Sequence, residues 1–338
     1  MKNAIRSALR SAVLAARDTV KSNPFVKGLL YEEVNEQQFT NLARHELMLA
    51  DRVRLSAYRD AIAKAVKPGD VVLDLGTGSG ILSLFAARNA PRRVLAIDHS
   101  PFIEVARKIA ATNNCSLVEF SQVNSKAFAP DERVDIIIQE QMGDDLFDED
   151  MVANILDLKA RILKDGGRIL PAKFELYIEP ISKKPDHVVP YLWDNDLWGV
   201  DFGATRGLAE LAALKERPEY RSRIDGKLRV SVDQFLCNPE PILTFDLNTL
   251  RADAEIPRVF QLSRPDVCDG VLDSFCIYFK AIFDHGIEFD TSPLSRHTHW
   301  ANRVFRVERR HVSRGSTLSY RLAMDELTKA STWILEPL

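Results

Sequence analysis

Residues 71–90 read VVLDLGTGSGILSLFAARNA, and this stretch decides the fold. Val71–Leu75 is an apolar run interrupted only by Asp74, the composition of a strand buried on both faces of a parallel sheet. Gly76, Gly78 and Gly80 form the turn after it, and residues 81–89 carry a helix. Glycines suit this turn because a side chain would hold the backbone away from a ligand and oppose the tight reversal. A second strand, residues 94–97, ends at Asp98, where a carboxylate can take both hydroxyls of a ribose. The spacing is Gly-x-Gly-x-Gly, without the extra residue of the dinucleotide fingerprint, so a nucleotide-type site of another kind is expected.

Strand–helix alternation continues through residues 101–113, 118–122 and 134–138, which predicts a Rossmann-like α/β domain. The last of these strands opens residues 134–151, VDIIIQEQMGDDLFDEDM. Open α/β sheets bind ligands beyond their strand carboxyl ends, so chemistry is expected in this loop. It carries six acids (Glu140, Asp144, Asp145, Asp148, Glu149, Asp150) and no base, with Met142-Gly143 as a turn between the two glutamates. A helix over 151–163 follows, closed by Asp165-Gly166-Gly167. Upstream, residues 31–65 read as one helical region in which Met48, Asp51, Arg54, Leu55 and Tyr58 share a side. Charged groups inside an apolar stripe either pair or bind something. An Asp51–Arg54 ion pair and a ligand-binding role are both open from this helix alone.

From Pro171 onward the rhythm changes to short period-two strands separated by turn residues, which predicts an antiparallel, barrel-like β-domain. It is interrupted over about 190–224 by a helical segment with Trp193, Trp198, Leu208, Leu211 and Leu214, either a functional arm or a partner-binding element. The division is therefore an extension (1–34), a Rossmann-like domain (35–171) and a β-domain (172–338). A chain of 338 residues has room for both domains. A net charge of −3 and a pI near 6.2 give no basic footprint for nucleic acid. No apolar run is long enough to span a bilayer. The four cysteines form no Cys-x-x-Cys pair, so neither a zinc site nor a disulfide framework is indicated, and a reducing compartment fits. Residues 1–21 form a basic amphipathic helix, acid-free before Asp18. It reads as a docking helix of a cytoplasmic protein, with a mitochondrial transit peptide, and so the matrix, as the alternative.

Four pieces together resemble the protein arginine N-methyltransferases. The glycine turn is similar to that of class I S-adenosylmethionine-dependent methyltransferases. EQMGDDLFDE (140–149) resembles the family's double-glutamate hairpin, with Met151 two residues beyond. Thr298-His299-Trp300, inside TSPLSRHTHW, resembles its Thr-His-Trp loop. His45, Glu46, Met48, Leu49, Asp51, Arg54 and Tyr58 stand at matching spacing on the N-terminal helix. The resemblance runs from about residue 35 to the end. It implies S-adenosyl-L-methionine as cofactor, with Arg54 on the methionyl carboxylate and His45, Gly76, Gly78 and Gly80 along it. Asp74 belongs to the same motif, Asp98 is assigned to the ribose and Ser125 to the adenine end. Glu140 and Glu149 are implied as a guanidinium clamp, and Asp51 and His299 as a pair across two domains that accepts a proton. Met48 and Met151 are implied beside the reacting nitrogen, and Trp300 as a wall of the pocket. Asp144, Asp145 and Asp148 are left with field and solubility alone, and no metal is called for.

The implied activity is methylation of an arginine guanidinium in proteins or peptides, by a homodimer built through the 190–224 arm. A small guanidine such as free arginine is an alternative substrate, and a silent dimeric scaffold is the alternative of another class. Two departures stand out. The family's Tyr-Phe-x-x-Tyr segment falls at 35–39, where the chain reads NEQQF, and its adenine-binding acid falls near Ser125, within VNSKAF.

Overall fold

The computed structural model describes residues 42–187, 193, 196–197, 199–224, 231–251 and 253–338. The readings of residues 1–34 and of NEQQF lie outside the described residues, as do Trp198 and part of the 190–224 arm.

The helix expected to start near residues 39–41 and run to about 66 is, over the described residues, two. Helix α1 is Leu42–Ala50 and α2 is Arg52–Ala65. Asp51 separates them with φ −72° and ψ 90°, and its Oδ1 accepts the Arg54 N–H at 2.9 Å. An aspartate competes for backbone donors at a helix start better than it continues a helix, so it caps α2 and turns the chain. Helix α2 buries Ala57, Tyr58, Ala61, Ile62 and Ala65 in an apolar core that it shares with a parallel sheet.

That sheet is built from β1 (Val71–Leu75), β2 (Arg93–Asp98), β3 (Val118–Gln122), β4 (Val134–Gln139) and β5 (Leu163–Leu170) in the order β3-β2-β1-β4-β5. Every pairing is parallel. Helices α3 (Ile81–Ala87), α4 (Ile103–Thr112) and α5 (Met151–Ile162) make the crossovers. Val71, Val72, Leu73, Ile137 and Ile138 are wholly buried, each contributing about 1.5–3 kcal/mol by leaving water. Strand order reverses between β1 and β4, so the loops after these two strands face one crevice. Asp165-Gly166-Gly167 does not close α5 in a loop as expected. It lies inside β5, and the register with β4 slips between Val134 and Ile136 to absorb it. Gly166 supplies the positive φ (75°) of that irregularity.

Beyond the Leu170–Pro171 peptide the chain enters β6 (Lys173–Lys183), then the short β7 (Asp196–Leu197) and β8 (Val200–Asp201). Helices α6 (Ala209–Lys215) and α7 (Pro218–Arg221) follow, then β9 (Ser222–Ile224), β10 (Val232–Phe235) and β11 (Leu243–Asp246). The rest is β12 (Val259–Pro265), β13 (Gly270–Ile282), β14 (Glu288–Asp290), β15 (Arg303–Val312), β16 (Thr317–Ala323) and β17 (Ile334–Pro337). A seven-stranded antiparallel sheet runs β10-β6-β13-β15-β9, with β11 on β6 and β14 on β13, and a three-stranded sheet runs β12-β16-β17. Arg264 of β12 ties the two sheets. Its guanidinium reaches Glu179 of β6 at 2.9–3.0 Å and donates to the Tyr320 hydroxyl of β16 at 2.7 Å, all three being buried.

One apolar cluster spans both domains. Phe147 stacks on Phe245 at 5.7 Å, and Tyr58 meets Phe283 edge-on at 4.9 Å. Lys159 of α5 donates to the carbonyls of Leu247 and Leu250 at 2.8 and 3.0 Å. The crevice at the switch point therefore has a fixed second wall. Among the described residues, no helix is long and apolar enough to cross a membrane.

Candidate active site

The loop after β1 forms one end of the site. Gly76 and Thr77 donate to the Ile97 carbonyl at 2.9 and 3.0 Å, folding the turn back over β2. Asp74 lies beneath it, wholly buried, and Oδ2 accepts the hydroxyls of Thr77 (2.7 Å) and Ser83 (2.6 Å). Burial pushes its carboxyl above the usual range, with those hydroxyls pulling it back. Asp74 shapes the turn from below and does not line the crevice. Gly78 has φ 51°, and a Cβ there would stand 2.9 Å from the His45 ring, which is stacked on Phe102 at 3.7 Å. Gly80, with φ 81°, starts α3 and packs against Ala106 instead. Asp98 accepts the Gly78 N–H through Oδ2 (2.9 Å) and the Ser100 N–H through Oδ1 (2.8 Å). Each oxygen keeps a further lone pair for a ligand.

Two cavities meet at Gly76, Asp98, His99 and Gln141. The larger, about 630 Å³, runs from Asp98 past Ser125 to Asp148, Asp150 and, unforeseen from the sequence, Glu326, Thr328 and Lys329 of the β-domain. The smaller, about 120 Å³, is lined by His45, Met48, Arg54, Gly78, Glu140 and Glu149.

The smaller cavity gathers the charged groups. Arg54 is not paired with the Asp51 carboxylate. Its Nη1 bonds Glu140 Oε2 at 2.9 Å, its Nη2 donates to the Met48 carbonyl at 2.9 Å, and its buried Nε has no partner among the described residues. Glu149 is half-buried, and no hydrogen bond to its carboxyl exists among the described residues. Burial, then the charges of Glu140 and Asp148, push it up to about 8. Asp51 Oδ2 accepts both the backbone N–H and the Nδ1 of His299 across the domain boundary, at 2.8 and 2.9 Å. Burial alone would raise the Asp51 carboxyl, but these bonds and the Arg54 N–H lower it below its ordinary value.

Met151 and Trp300 line neither cavity. Met151 is fully buried at the start of α5, its sulfur 3.5 Å from the Gln139 amide. Trp300 is stacked on Phe289 at 5.3 Å, and its indole N–H donates to the Met142 carbonyl at 2.6 Å. Both support the hairpin from behind.

The aspartates of the hairpin are more than surface charge, which corrects the expectation for Asp144, Asp145 and Asp148. Asp144 accepts the Ala301 N–H at 2.8 Å. Asp145 takes the Arg303 guanidinium on both oxygens at 2.7–2.9 Å. Asp148 Oδ1 accepts the Asp145 N–H at 3.1 Å, and burial and Asp145 push its carboxyl up to about 7. These groups sit inward because the hairpin is clasped by the 298–303 segment, a contact 158 residues distant in sequence. Tyr58, already picked out on the helix by spacing, donates its hydroxyl to the Gln139 carbonyl at 2.7 Å, whereas Arg303 is a further residue that the sequence reasoning missed. No local pattern marks Arg303.

A parallel sheet with a glycine turn, an acid closing β2 and a cavity holding two glutamates defines a nucleotide-cofactor methyltransferase with an added β-domain. Matches to known proteins agree. Residues 66–196 match the model of a methyltransferase domain, and residues 173–332 that of the arginine methyltransferase oligomerization subdomain. The chain is 32% identical over 277 residues to protein arginine N-methyltransferase 1 of Dictyostelium discoideum, covering 80% of this chain and 77% of that one. It is 32% identical over 279 residues to protein arginine N-methyltransferase 6 of Danio rerio, covering 79% and 76%. Among solved structures it resembles the Trypanosoma brucei PRMT1 enzyme–prozyme heterotetramer with AdoHcy (TM-score 0.70, 26% identity, 85% and 89% covered). It also resembles protein arginine methyltransferase 10 of Arabidopsis thaliana (TM-score 0.71, 25% identity, 89% and 97% covered). The chain belongs to the protein arginine N-methyltransferase family.

Proposed function

We propose that this protein transfers methyl groups from S-adenosyl-L-methionine to the guanidinium of arginine in proteins or peptides. One observation carries the reading: Glu140 and Glu149 line a single small cavity that opens onto the glycine turn. The crevice fits the cofactor. It has an acceptor with spare lone pairs, Asp98, between the two cavities, and a buried cation with an unsatisfied N–H, Arg54, in the smaller one. Asp98 would hold the ribose, Arg54 and His45 the methionyl end, and Ser125 the adenine end. When bound, the cofactor supplies an electrophilic methyl on a sulfonium.

The chain's own residues do the rest. A guanidinium stays protonated and delocalised, so it must be held by anions in one plane. Arg54 uses only Oε2 of Glu140, leaving Oε1 for a substrate N–H, and Glu149 supplies the second jaw once ionised. Holding the nitrogen in line can supply about 7–11 kcal/mol at best. Asp51 orients His299 through Nδ1, which leaves Nε2 to take the proton released. The intact set of Glu140, Glu149, Asp51 and His299 favours an enzyme over a silent scaffold.

A homodimer built by the 190–224 arm, a cytoplasmic location and a domain boundary near residue 171 complete the reading. Incubation with methyl-labelled cofactor and arginine-rich peptides, cell lysate and free arginine tests it. Label on peptide or protein arginine is expected, and no label on any acceptor would overturn it.

A further inference from the structure

Between β4 and α5 the hairpin makes three ties to the 298–303 segment of the β-domain: Trp300 to the Met142 carbonyl, the Ala301 N–H to Asp144, and Arg303 to Asp145. The first two are single bonds. The third is a two-pronged ion pair in which both side chains are buried, with 11% and 4% of their surfaces exposed. It is also the one that leads toward the reacting end. Asp145 donates its backbone N–H to Asp148, which precedes Glu149, and the Asp148 carboxyl is pressed against Gly143, where a Cβ would meet it at 2.4 Å. Leu146 and Asp150 hold positive φ (73° and 57°) on either side of that step, a backbone that L side chains rarely adopt and that persists only when its surroundings enforce it. Asp144, Asp148 and Glu149 are half-buried, whereas Asp145 is buried, and Arg303 is the only cation hydrogen-bonded to a hairpin aspartate among the described residues. Without it, a buried unpaired carboxylate would drive the hairpin apart.

We propose that Arg303 is a positioning residue for methyl transfer: through Asp145 it holds the Glu149 side of the clamp from the β-domain, and it governs substrate capture but not cofactor binding. Asp148 and Asp150 line the far part of the larger cavity, but the glycine turn is held without them: Gly76 donates to Ile97, and Asp98 accepts from Gly78 and Ser100, with no hairpin aspartate in these bonds. The proposal rests on the methyltransferase reading and adds to it the dependence of the first domain's clamp on the second.

The test uses the full chain and the variants Arg303→Met, Arg303→Lys and Asp145→Asn. It measures S-adenosylhomocysteine affinity by calorimetry, and KM and kcat for an arginine peptide. In Arg303→Met, KM rises by roughly tenfold or more while S-adenosylhomocysteine affinity stays within about twofold. Arg303→Lys, which keeps the charge but not the fork, recovers part of the loss. Asp145→Asn raises KM in the same direction, and Arg303→Met adds little on top of it because the two act through one contact. Should Arg303→Met fail to fold, Arg303→Lys and Asp145→Asn carry the comparison. Wild-type KM in these variants would overturn the proposal, as would a rise in KM matched by a loss of cofactor affinity of the same factor. A wild-type protein that binds no S-adenosylhomocysteine would instead overturn the methyltransferase reading itself, and the proposal with it.

Discussion

At neutral pH, binding an arginine side chain should expel a proton from the free protein. The Glu149 carboxyl is pushed up to about 8, by burial first and then by Glu140 and Asp148. The guanidinium it must hold stays charged throughout. The jaw closes only as a carboxylate, so about one site in ten is competent at pH 7, and the apparent affinity there lies about tenfold, or roughly 1.4 kcal/mol, below its alkaline limit. Binding an arginine peptide at pH 7 should release about 0.9 proton, falling to about 0.1 at pH 9. Calorimetric titrations in two buffers of different ionisation enthalpy read this directly, with Glu149→Gln as the silent control. A binding enthalpy that does not depend on the buffer at pH 7 would refute the reasoning. The same group acts on stability. Its folded value lies above the unfolded one, so its contribution is full below about 4.5, falls as pH rises toward about 8, and is gone above that. The gap corresponds to at most about 5 kcal/mol. Glu149→Gln should therefore melt progressively higher than wild type as pH is raised from 5 to 9, and a constant difference would contradict the burial argument.

Other perturbations separate the parts. Asp51→Asn removes the anion that orients His299 and should lower kcat by about tenfold to a hundredfold with little change in S-adenosylhomocysteine affinity, measured by steady-state kinetics and calorimetry. Gly78→Ala forces a side chain into a positive φ and against His45, so cofactor affinity should fall by roughly tenfold while Glu149 is untouched. Arg264→Met leaves Glu179 buried and unpaired, which costs about 3–5 kcal/mol. That carboxyl is already pushed up to about 7, so the loss in thermal melts should deepen as pH rises above neutrality, and pairing the change with Glu179→Leu should recover most of it.

What could be read in the residues was whatever depends on short-range pattern. A β-branched run followed by spaced glycines specifies strand, turn and helix whatever surrounds it, so residues 71–90 were enough to place the first domain. The change to period-two strands after Pro171 foretold the antiparallel second domain for the same reason. Residues whose role is set by a distant partner were not legible. Asp51 looked from helical spacing alone like a point on a continuous face; the family resemblance, not the pattern, gave its pair with His299, and its capping bond to the Arg54 N–H was not foreseen. Arg54 looked as if it needed either Asp51 or a ligand, and it found Glu140, just past the end of β4 and 86 residues away in sequence. Asp145 looked like surface charge because its partner, Arg303, lies in another domain. Gly166 resembled a helix terminator, and a slip in strand register used it instead.

The central claim is that Glu140 and Glu149 act as the two jaws that present an arginine nitrogen for methylation. It is tested most directly by comparing wild type with Glu149→Gln for transfer of labelled methyl to arginine peptides, alongside S-adenosylhomocysteine binding by calorimetry. The clamp predicts methylarginine from wild type, a fall of about a hundredfold or more in the variant, and cofactor affinity within about twofold. Equal transfer by the two proteins would contradict it.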